Sequence, residues 1–182
     1  MAGDKPPMKP SEEVSRTALA LATAQGDAYG IALKHMTSIV AHDGGEMRQG
    51  DYLIGFAVEK AEGMYHMRGG KLEWIEPDQE NVHIEVAVRD ASDGRFLPGL
   101  KIFATLFDPS GNEVGTHEMP YLWHPALYHY GRNWKVPGDG TYRLRVRFEA
   151  PDFPRHDEVN GKRFETGADV EFPKVEIKTG KG

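Results

Sequence analysis

The chain contains no cysteine among its 182 residues. This excludes disulfides, thiolate nucleophiles, thiolate zinc sites and iron–sulfur clusters. Long apolar runs are also missing: no stretch of about eighteen apolar residues occurs, so no membrane-spanning helix is predicted. The remaining possibilities are a water-exposed globular protein whose chemistry depends on histidine, carboxylate or methionine side chains.

Basic residues are in deficit, with a formal net charge of −6 at pH 7. Such a chain offers no cationic surface for phosphates, so nucleic acid is not an expected partner, whereas a cation would be attracted. The motifs of common enzymes are missing as well. There is no Gly-x-Ser-x-Gly elbow, Gly-rich phosphate loop or His-Glu-x-x-His helix, and we expect a protein that is not an enzyme.

The chain length suits one globular domain preceded by an extension. Residues 1–10 hold three prolines and two lysines and predict a disordered tail. Residues 11–50 predict an N-terminal helix and arm, with the helix over 11–25 capped by Ser11 and a possible short strand within 31–40. An alternative interpretation of 17–24 is a signal-peptide remnant, and the signal or lipid anchor of an exported protein is expected to be absent from this chain.

From residue 51 to 178 the pattern changes to short period-two segments separated by turn residues, which is typical of a β-sandwich or barrel. Residues 108–112, Asp-Pro-Ser-Gly-Asn, predict a hairpin turn. In 142–148, apolar residues alternate with arginines, so one face is core and the other is wet. The fold class predicted is all-β, an immunoglobulin-like antiparallel β-sandwich with an N-terminal helix. The predicted strands are 52–58, 71–74, 82–89, 100–107, 113–119, 141–149 and 170–177.

The placement of the histidines indicates where chemistry can occur. His83 and Glu85 lie two residues apart in a predicted strand, so they share a face about 6.6 Å apart and can converge on one ion. The alternative is an ordinary solvated polar face. His35, His42 and His117 lie in unpatterned sequence or alternate in a strand, and we interpret them as uninvolved.

Residues 119–135 concentrate five aromatic residues and two histidines, His124 and His129. Imidazoles in a partly dry aromatic shell suit a metal site, because the shell limits competition from water. The same aromatics alone are equally typical of core, or of a recognition platform. His156 adds an imidazole beside Asp157, which could orient the ring.

Residues 64–67, Met-Tyr-His-Met, combine thioether and imidazole donors. Such a soft pair suits copper, especially Cu(I), whereas imidazole with carboxylate suits iron, zinc or Cu(II). The alternative is that Met64 and Met67 only fill gaps in the core.

Four motifs in order resemble one family, the periplasmic metal-binding proteins associated with high-affinity ferrous-iron uptake. The motifs are 82–85 (Val-His-Ile-Glu), 119–120 with 129–131 (Met-Pro and His-Tyr-Gly), 140–151 (Gly-Thr-Tyr to Glu-Ala-Pro) and 155–157 (Arg-His-Asp) before a final strand. The resemblance covers roughly residues 50–177 by this order of motifs.

The resemblance implies a periplasmic β-sandwich, a homodimer, that binds a copper or iron ion and works with a membrane iron permease. It implies histidine ligands His83, His129 and His156, with Glu85 as acidic neighbour. Where the family has a methionine ligand, this chain has Tyr121, so Met119, His124 or a methionine of 64–67 is expected to substitute. A site with His124 in that place would favour Cu(II), zinc or iron over Cu(I).

These observations predict a metal-binding accessory of iron transport that performs no turnover. The alternatives left open are a non-metal interaction or carbohydrate-binding module that uses an aromatic platform, and a redox or metal-dependent enzyme with an open coordination position.

Overall fold

A computed structural model describes residues 7–182, and these form two antiparallel sheets packed face to face behind an N-terminal helix. The five-stranded sheet has the order β1-β2-β5-β9-β8 and the four-stranded sheet β11-β10-β6-β7, while β3 and β4 form a separate hairpin. The strands are β1 Asp43–Gln49, β2 Tyr52–Glu59, β3 Met64–Arg68, β4 Lys71–Ile75, β5 Val82–Asp90, β6 Ile102–Phe107, β7 Glu113–Met119, β8 Tyr121–Leu122, β9 His129–Trp134, β10 Gly140–Phe148 and β11 Ala168–Ile177. The predicted all-β sandwich with an N-terminal helix is therefore confirmed.

The core lies between the two sheets and is built from alternate residues of each strand, because successive side chains of a strand point to opposite faces. On β5, Ile84, Val86 and Val88 are fully buried there, and on β10 Leu144 and Val146 are. The predicted hairpin of β6 and β7 is present, closed by Asp108, whose carboxylate accepts hydrogen bonds from the backbone of Ser110 and Asn112.

The outer face of the five-stranded sheet is not open to water. Every residue of β5 except Arg89 is buried, including the outward-facing His83, Glu85 and Ala87. The cover comes from the N-terminal helix, from Leu127 and from the segment around Glu62. The prediction that His83 and Glu85 share an outward face is confirmed. Other parts of the chain cover this face, so both side chains are buried.

The N-terminal helix differs from its prediction. Helix α1 spans Arg16–His35 and continues into a π-helical turn, Met36–Val40. Its N-cap is Ser15, whose side chain accepts a hydrogen bond from the Ala18 amide, whereas Ser11 caps an earlier turn and donates to Asp157. The predicted strand within 31–40 is therefore wrong.

Two glycines lie in helix α1 just beyond its predicted end at residue 25. A Cβ on Gly26 would lie 1.7 Å from the Asp93 carbonyl oxygen, and one on Gly30 would lie 3.2 Å from the Arg89 guanidinium. Gly26 lets the helix contact the backbone of the turn after β5, and Gly30 leaves space for the Arg89 side chain of β5. The cost of both glycines to helix propensity is offset by this packing.

Four strands escaped the sequence analysis: β1, β3, β8 and β9. β1 pairs with β2 along its full length, so residues 43–49 belong to the sheet although the sequence assigned them to the arm. Hairpin β3–β4 projects from the sandwich with Tyr65, Met67, Leu72 and Trp74 exposed.

Residues 1–6 of the predicted disordered tail lie outside the described residues. Further along, Lys9 is hydrogen-bonded in both directions to the Asn160 side chain. Among residues 7–182, no helix has the length and apolar character required to span a membrane.

Candidate metal centre

Two histidines and one glutamate converge on the covered face of the five-stranded sheet. His83 and Glu85 come from β5, and His129 is the first residue of β9. The strand register places Glu85 opposite Gly131, so His129 reaches Glu85 from the neighbouring strand. His129 Nε2 lies 3.1 Å and His83 Nε2 3.9 Å from the same Glu85 oxygen, Oε1. We call these three residues the histidine centre.

The spacing suits one ion. One ligand atom of each residue can be chosen so that all three lie within 4.8 Å of one another. Atoms bound to one ion at about 2.0–2.2 Å are themselves roughly 3 to 4.4 Å apart, depending on the angle between them. Imidazole with carboxylate suits iron, Cu(II) or zinc.

Asn133 fixes the proton on the ring of His83. Its amide orientation is set by the backbone of Glu62, because Oδ1 accepts from the Glu62 N–H and Nδ2 donates to the Glu62 carbonyl. Oδ1 also lies 2.9 Å from His83 Nδ1. An oxygen acceptor at that place requires the proton on Nδ1, so Nε2 of the neutral ring carries a lone pair.

That lone pair has no hydrogen-bond partner among the described residues, although the side chain of His83 is fully buried. Buried polar atoms are normally satisfied, so an unpaired imidazole nitrogen aimed at a carboxylate requires an explanation. A metal ion would supply the missing partner, and the residues therefore fit a metal.

Gly131 keeps the space beside that nitrogen free. A Cβ built at this position would lie 3.0 Å from His83 Nε2 and 3.1 Å from the Ile84 carbonyl oxygen. The glycine of the His-Tyr-Gly motif thus leaves room on the open side of the ring.

The electrostatics keep the centre ready for a cation. Burial lowers the pKa of His83 against the opposing influence of Glu85 and Glu62, so the ring is neutral and able to coordinate. Burial of Glu85 opposes its ionisation, but the hydrogen bond and charge of His129 prevail and lower its pKa below the usual range. The centre presents a neutral imidazole beside an ionised carboxylate.

His124 lies next to the histidine centre, with its ring centroid 6.1 Å from that of His129. Its Nδ1 accepts a hydrogen bond from the Ala126 amide, which leaves Nε2 of the neutral ring protonated. Coordination through Nε2 would therefore require that proton to leave.

Met119 does not reach the centre. Its side chain is buried in the core between the sheets, opposite Ile102. The hypothesis that Met119 replaces the missing thioether ligand is therefore wrong. Alternate residues of a strand point to opposite faces, and Met119 points to the inner face, away from the histidine centre. Tyr121 also turns away, and its ring packs against Phe96 and Tyr128.

His156 is not brought to the centre within one chain. It lies in the loop between β10 and β11, its side chain is 92% exposed, and Nδ1 is 3.1 Å from a Glu13 carboxylate oxygen. Asp157, expected to orient this ring, instead accepts hydrogen bonds from Ser11 and Asn160. The expected convergence of three histidines is thus met for His83 and His129 only.

Two further carboxylates adjoin the centre and were missed by the sequence analysis. Glu59 ends β2 directly opposite His83, and Glu62 Oε1 lies 3.9 Å from His83 Nε2. Burial, followed by the charges of Glu85 and Glu62, raises the pKa of Glu59 to about 7. The alternation of β2 could have identified Glu59. This residue continues the outward-facing positions of the strand, one residue past its predicted end.

The aromatic residues of 119–135 divide between two roles. Trp134 and Tyr130 are core residues, whereas Trp123 is 70% exposed. A continuous platform that includes Trp134 is therefore not present, and the exposed aromatics Tyr121 and Tyr128 line a separate cleft beside α1.

The fold and the site together define a β-sandwich protein with a candidate transition-metal centre on its covered face. A family model described as Fe2+ transport protein matches residues 44–173. The chain belongs to this family, and the predicted family and link to iron transport are confirmed. No match was found among curated proteins.

Solved structures agree with the fold. The chain is similar to FetP of uropathogenic Escherichia coli strain F11, with 20% identity, a TM-score of 0.62 and coverage of 74% of this chain and 93% of that one. It is similar to the copper-reconstituted P19 protein of Campylobacter jejuni, with 17% identity, a TM-score of 0.63 and coverage of 75% and 94%. The P19 protein holds copper in that structure. The description of the family as an Fe2+ transport protein agrees with the iron ion of the prediction.

Proposed function

We propose that this chain is a periplasmic metal-binding accessory of iron uptake that binds a copper or ferrous ion at the histidine centre and performs no turnover. The observation that carries the proposal is the buried, unpartnered Nε2 of His83, held by Asn133 and aimed at Glu85 beside His129. The proposed partner that receives or supplies the ion is a membrane iron permease.

His83, His129 and Glu85 supply three donors, His129 by exchanging its Nε2 hydrogen bond to Glu85 for the ion, and a fourth must come from elsewhere. His124 is the nearest in the chain, but it gives up a hydrogen bond or a proton to coordinate. His156 is exposed and so available to a second copy of the chain. We therefore propose a homodimer in which His156 of one copy completes the centre of the other.

Isothermal titration with Cu(II) at pH 7.5 tests the centre. His83→Ala and His129→Ala should each weaken binding at least tenfold, because each removes a ligand, and the exposed His35 provides the matched control His35→Ala. Binding should also fall as the pH drops through the imidazole range, since protons compete for the same nitrogens. Equal affinity of the wild type and both ligand variants would refute the proposal.

Mixing two variants tests the contribution of His156. A dimer of one His83→Ala chain and one His156→Ala chain retains one complete centre only if His156 acts across the interface. We expect tight Cu(II) binding to reappear on mixing, at one site per mixed dimer. A mixture that binds no better than the separate variants rules out this arrangement, and light scattering reports whether dimers form at all.

A further inference from the structure

One side of hairpin β3–β4 is made entirely of large apolar residues. The strands pair Tyr65 with Trp74 and Met67 with Leu72, and directly opposed residues of an antiparallel pair point to the same side. We call these four residues the apolar hairpin face. Each is between 52% and 67% exposed, although the rings of Tyr65 and Trp74 pack edge to face with their centroids 4.9 Å apart.

The apolar hairpin face points away from the rest of the protein. On the opposite side of the hairpin, Met64, His66 and Ile75 line a pocket together with Pro120 and Leu122 of the sandwich. Because successive residues of a strand point to opposite faces, the four apolar side chains extend into solvent instead. A contiguous exposed patch of this kind marks a surface on which a partner docks.

The tip of the hairpin is basic. Gly69 and Gly70 form the turn with positive φ angles of 53° and 80°, as a two-residue hairpin turn requires, so Arg68 and Lys71 lie directly opposite each other. Neither cation takes part in an ion pair with another described residue. The two strands contain a single carboxylate, that of Glu73, so the hairpin is locally cationic on a chain whose net charge is −6.

We propose that hairpin β3–β4 docks on the surface of a lipid bilayer that carries anionic headgroups. Trp and Tyr side chains favour the boundary between headgroups and acyl chains, because they combine an apolar ring with a polar group. The basic tip complements the negative charge of the lipids. An amphipathic element with apolar residues on one side and Lys or Arg on the other lies in the plane of this boundary and does not span it.

The two cations favour this partner over an apolar groove of another protein. Such a groove would cover Met67 and Leu72 equally well, but it would offer nothing to compensate for the desolvation of Arg68 and Lys71 beside them. The inference goes beyond the proposed function, since the hairpin surface needs no metal ion in order to dock.

Co-sedimentation with lipid vesicles tests the docking. Metal-free protein in chelator is mixed with vesicles of equal parts phosphatidylglycerol and phosphatidylcholine, or of phosphatidylcholine alone. The protein should bind the anionic vesicles at least tenfold more tightly at low ionic strength, because the basic tip adds an electrostatic attraction. High salt should weaken this binding, since it screens exposed charges.

A charge variant tests the tip. Arg68→Gln/Lys71→Gln should weaken binding to the anionic vesicles roughly tenfold or more, because each basic residue near an anionic surface contributes to the attraction. The matched control is Lys174→Gln/Lys178→Gln, which removes two exposed lysines at the end of β11 and changes the net charge equally. This control should bind as the wild type does.

Two tryptophan variants test the apolar hairpin face. Trp74→Ala should weaken vesicle binding about fivefold or more, whereas Trp123→Ala removes an exposed tryptophan elsewhere and should have no effect. The tryptophan emission of Trp123→Ala should shift to shorter wavelength when vesicles are added, and that of Trp74→Ala should not shift. Circular dichroism checks that every variant is folded.

Three results would overturn the inference. They are no binding of the wild type to anionic vesicles at low ionic strength, equal binding of the wild type and the charge variant, and an emission shift that persists in Trp74→Ala. Light scattering adds a fourth: if Trp74→Ala converts a dimer into a monomer without weakening vesicle binding, the apolar hairpin face covers a second copy of the chain. Cu(II) binding enters none of these measurements, so the histidine centre stands or falls separately.

Discussion

The outer faces of the two sheets carry charged residues at the same alternate spacing, yet they are built for different purposes. On β10 of the four-stranded sheet, Arg143 and Arg145 form exposed ion pairs with Glu171 and Asp169 of β11. On β5 of the five-stranded sheet, the equivalent positions hold His83 and Glu85, which are buried under a roof. The comparison shows that burial, more than residue type, distinguishes a functional polar face from an ordinary one. Burial shifts the pKa values of the side chains and strengthens the electrostatic interaction of each charge.

The largest effect is expected at a buried ion pair at the end of β5. Arg163 Nη2 lies 2.8 Å from Asp90 Oδ1 and 3.7 Å from Asp51 Oδ1, and all three side chains are at most 10% exposed. Arg163→Ala leaves two buried carboxylates without this cation and should lower the free energy of unfolding by about 3–5 kcal/mol. Urea unfolding measures this, and a loss below about 1 kcal/mol would show that burial does not matter here.

A smaller effect is expected at Asn133, which orients the His83 ring. Asn133→Leu removes the acceptor of the Nδ1 proton, so the ring no longer presents Nε2 in a fixed orientation. We expect Cu(II) affinity to fall about 10- to 100-fold, which is typical of lost support to a ligand. Nitrogen NMR of the histidines provides the check: the wild-type ring should show the Nδ1-protonated tautomer and the variant a mixture. A variant with unchanged tautomer and affinity contradicts this role.

The metal-free protein should show a pH dependence that originates at Glu59. Because its pKa is raised from 4.5 to about 7, the folded state keeps a proton that the unfolded chain releases, and stability falls as the pH rises between these values. Glu59→Gln removes this loss. The half-buried position reduces the gain to about 1 kcal/mol.

The measurement is the thermal midpoint of wild type and Glu59→Gln in chelator at pH 4.5 and pH 8. The variant should match the wild type at the lower pH and exceed it at the higher one. The lowered pKa of His83 acts in the opposite direction, with stability lost as the pH falls below about 6.5, but it is present in both proteins and cancels in the difference. An equal difference at both pH values would exclude Glu59 as the source.

The smallest effect is expected on the exposed face. Arg145 pairs with Asp169, and the side chains are 46% and 48% exposed. Arg145→Ala should change the free energy of unfolding by less than about 1 kcal/mol, because solvent screens the pair. A decrease in the free energy of unfolding as large as that expected for Arg163→Ala would contradict the distinction drawn here between exposed and buried charged residues.

Strand patterns and the His83–Glu85 pair could be predicted from sequence because both depend on period-two alternation. β9 could not, because its apolar residues Tyr130 and Trp134 are separated by Gly131, Arg132 and Asn133, which hide the alternation. Its pairing with β5 is nevertheless what brings His129 to Glu85. Long-range pairing of this kind leaves little trace in local sequence.

The helix and the exposed His156 show two other limits. Gly26 and Gly30 favour a break by propensity, but tertiary packing against the sheet overrides it. The Arg-His-Asp motif predicted a ligand, yet the His156 side chain is exposed and pairs with Glu13 in the structure, and a motif does not specify where its side chain lies in the fold. Glu59 was missed because the predicted strand ended one residue before it, and Glu62 was missed because it lies outside any strand and is held near His83 by the side chain of Asn133.

The contact of Gly26 with Asp93 has a consequence for how the face stays covered. At this contact the backbone of helix α1 lies directly against the backbone of residues 93–94, with no side chain between them. The distance between this part of helix α1 and the turn after β5 is therefore set by direct backbone contact. We expect substitutions on the outward surface of the helix to leave this distance unchanged. A methyl group added by Gly26→Ala would lie 1.7 Å from the Asp93 carbonyl oxygen, so the helix and the turn would have to separate.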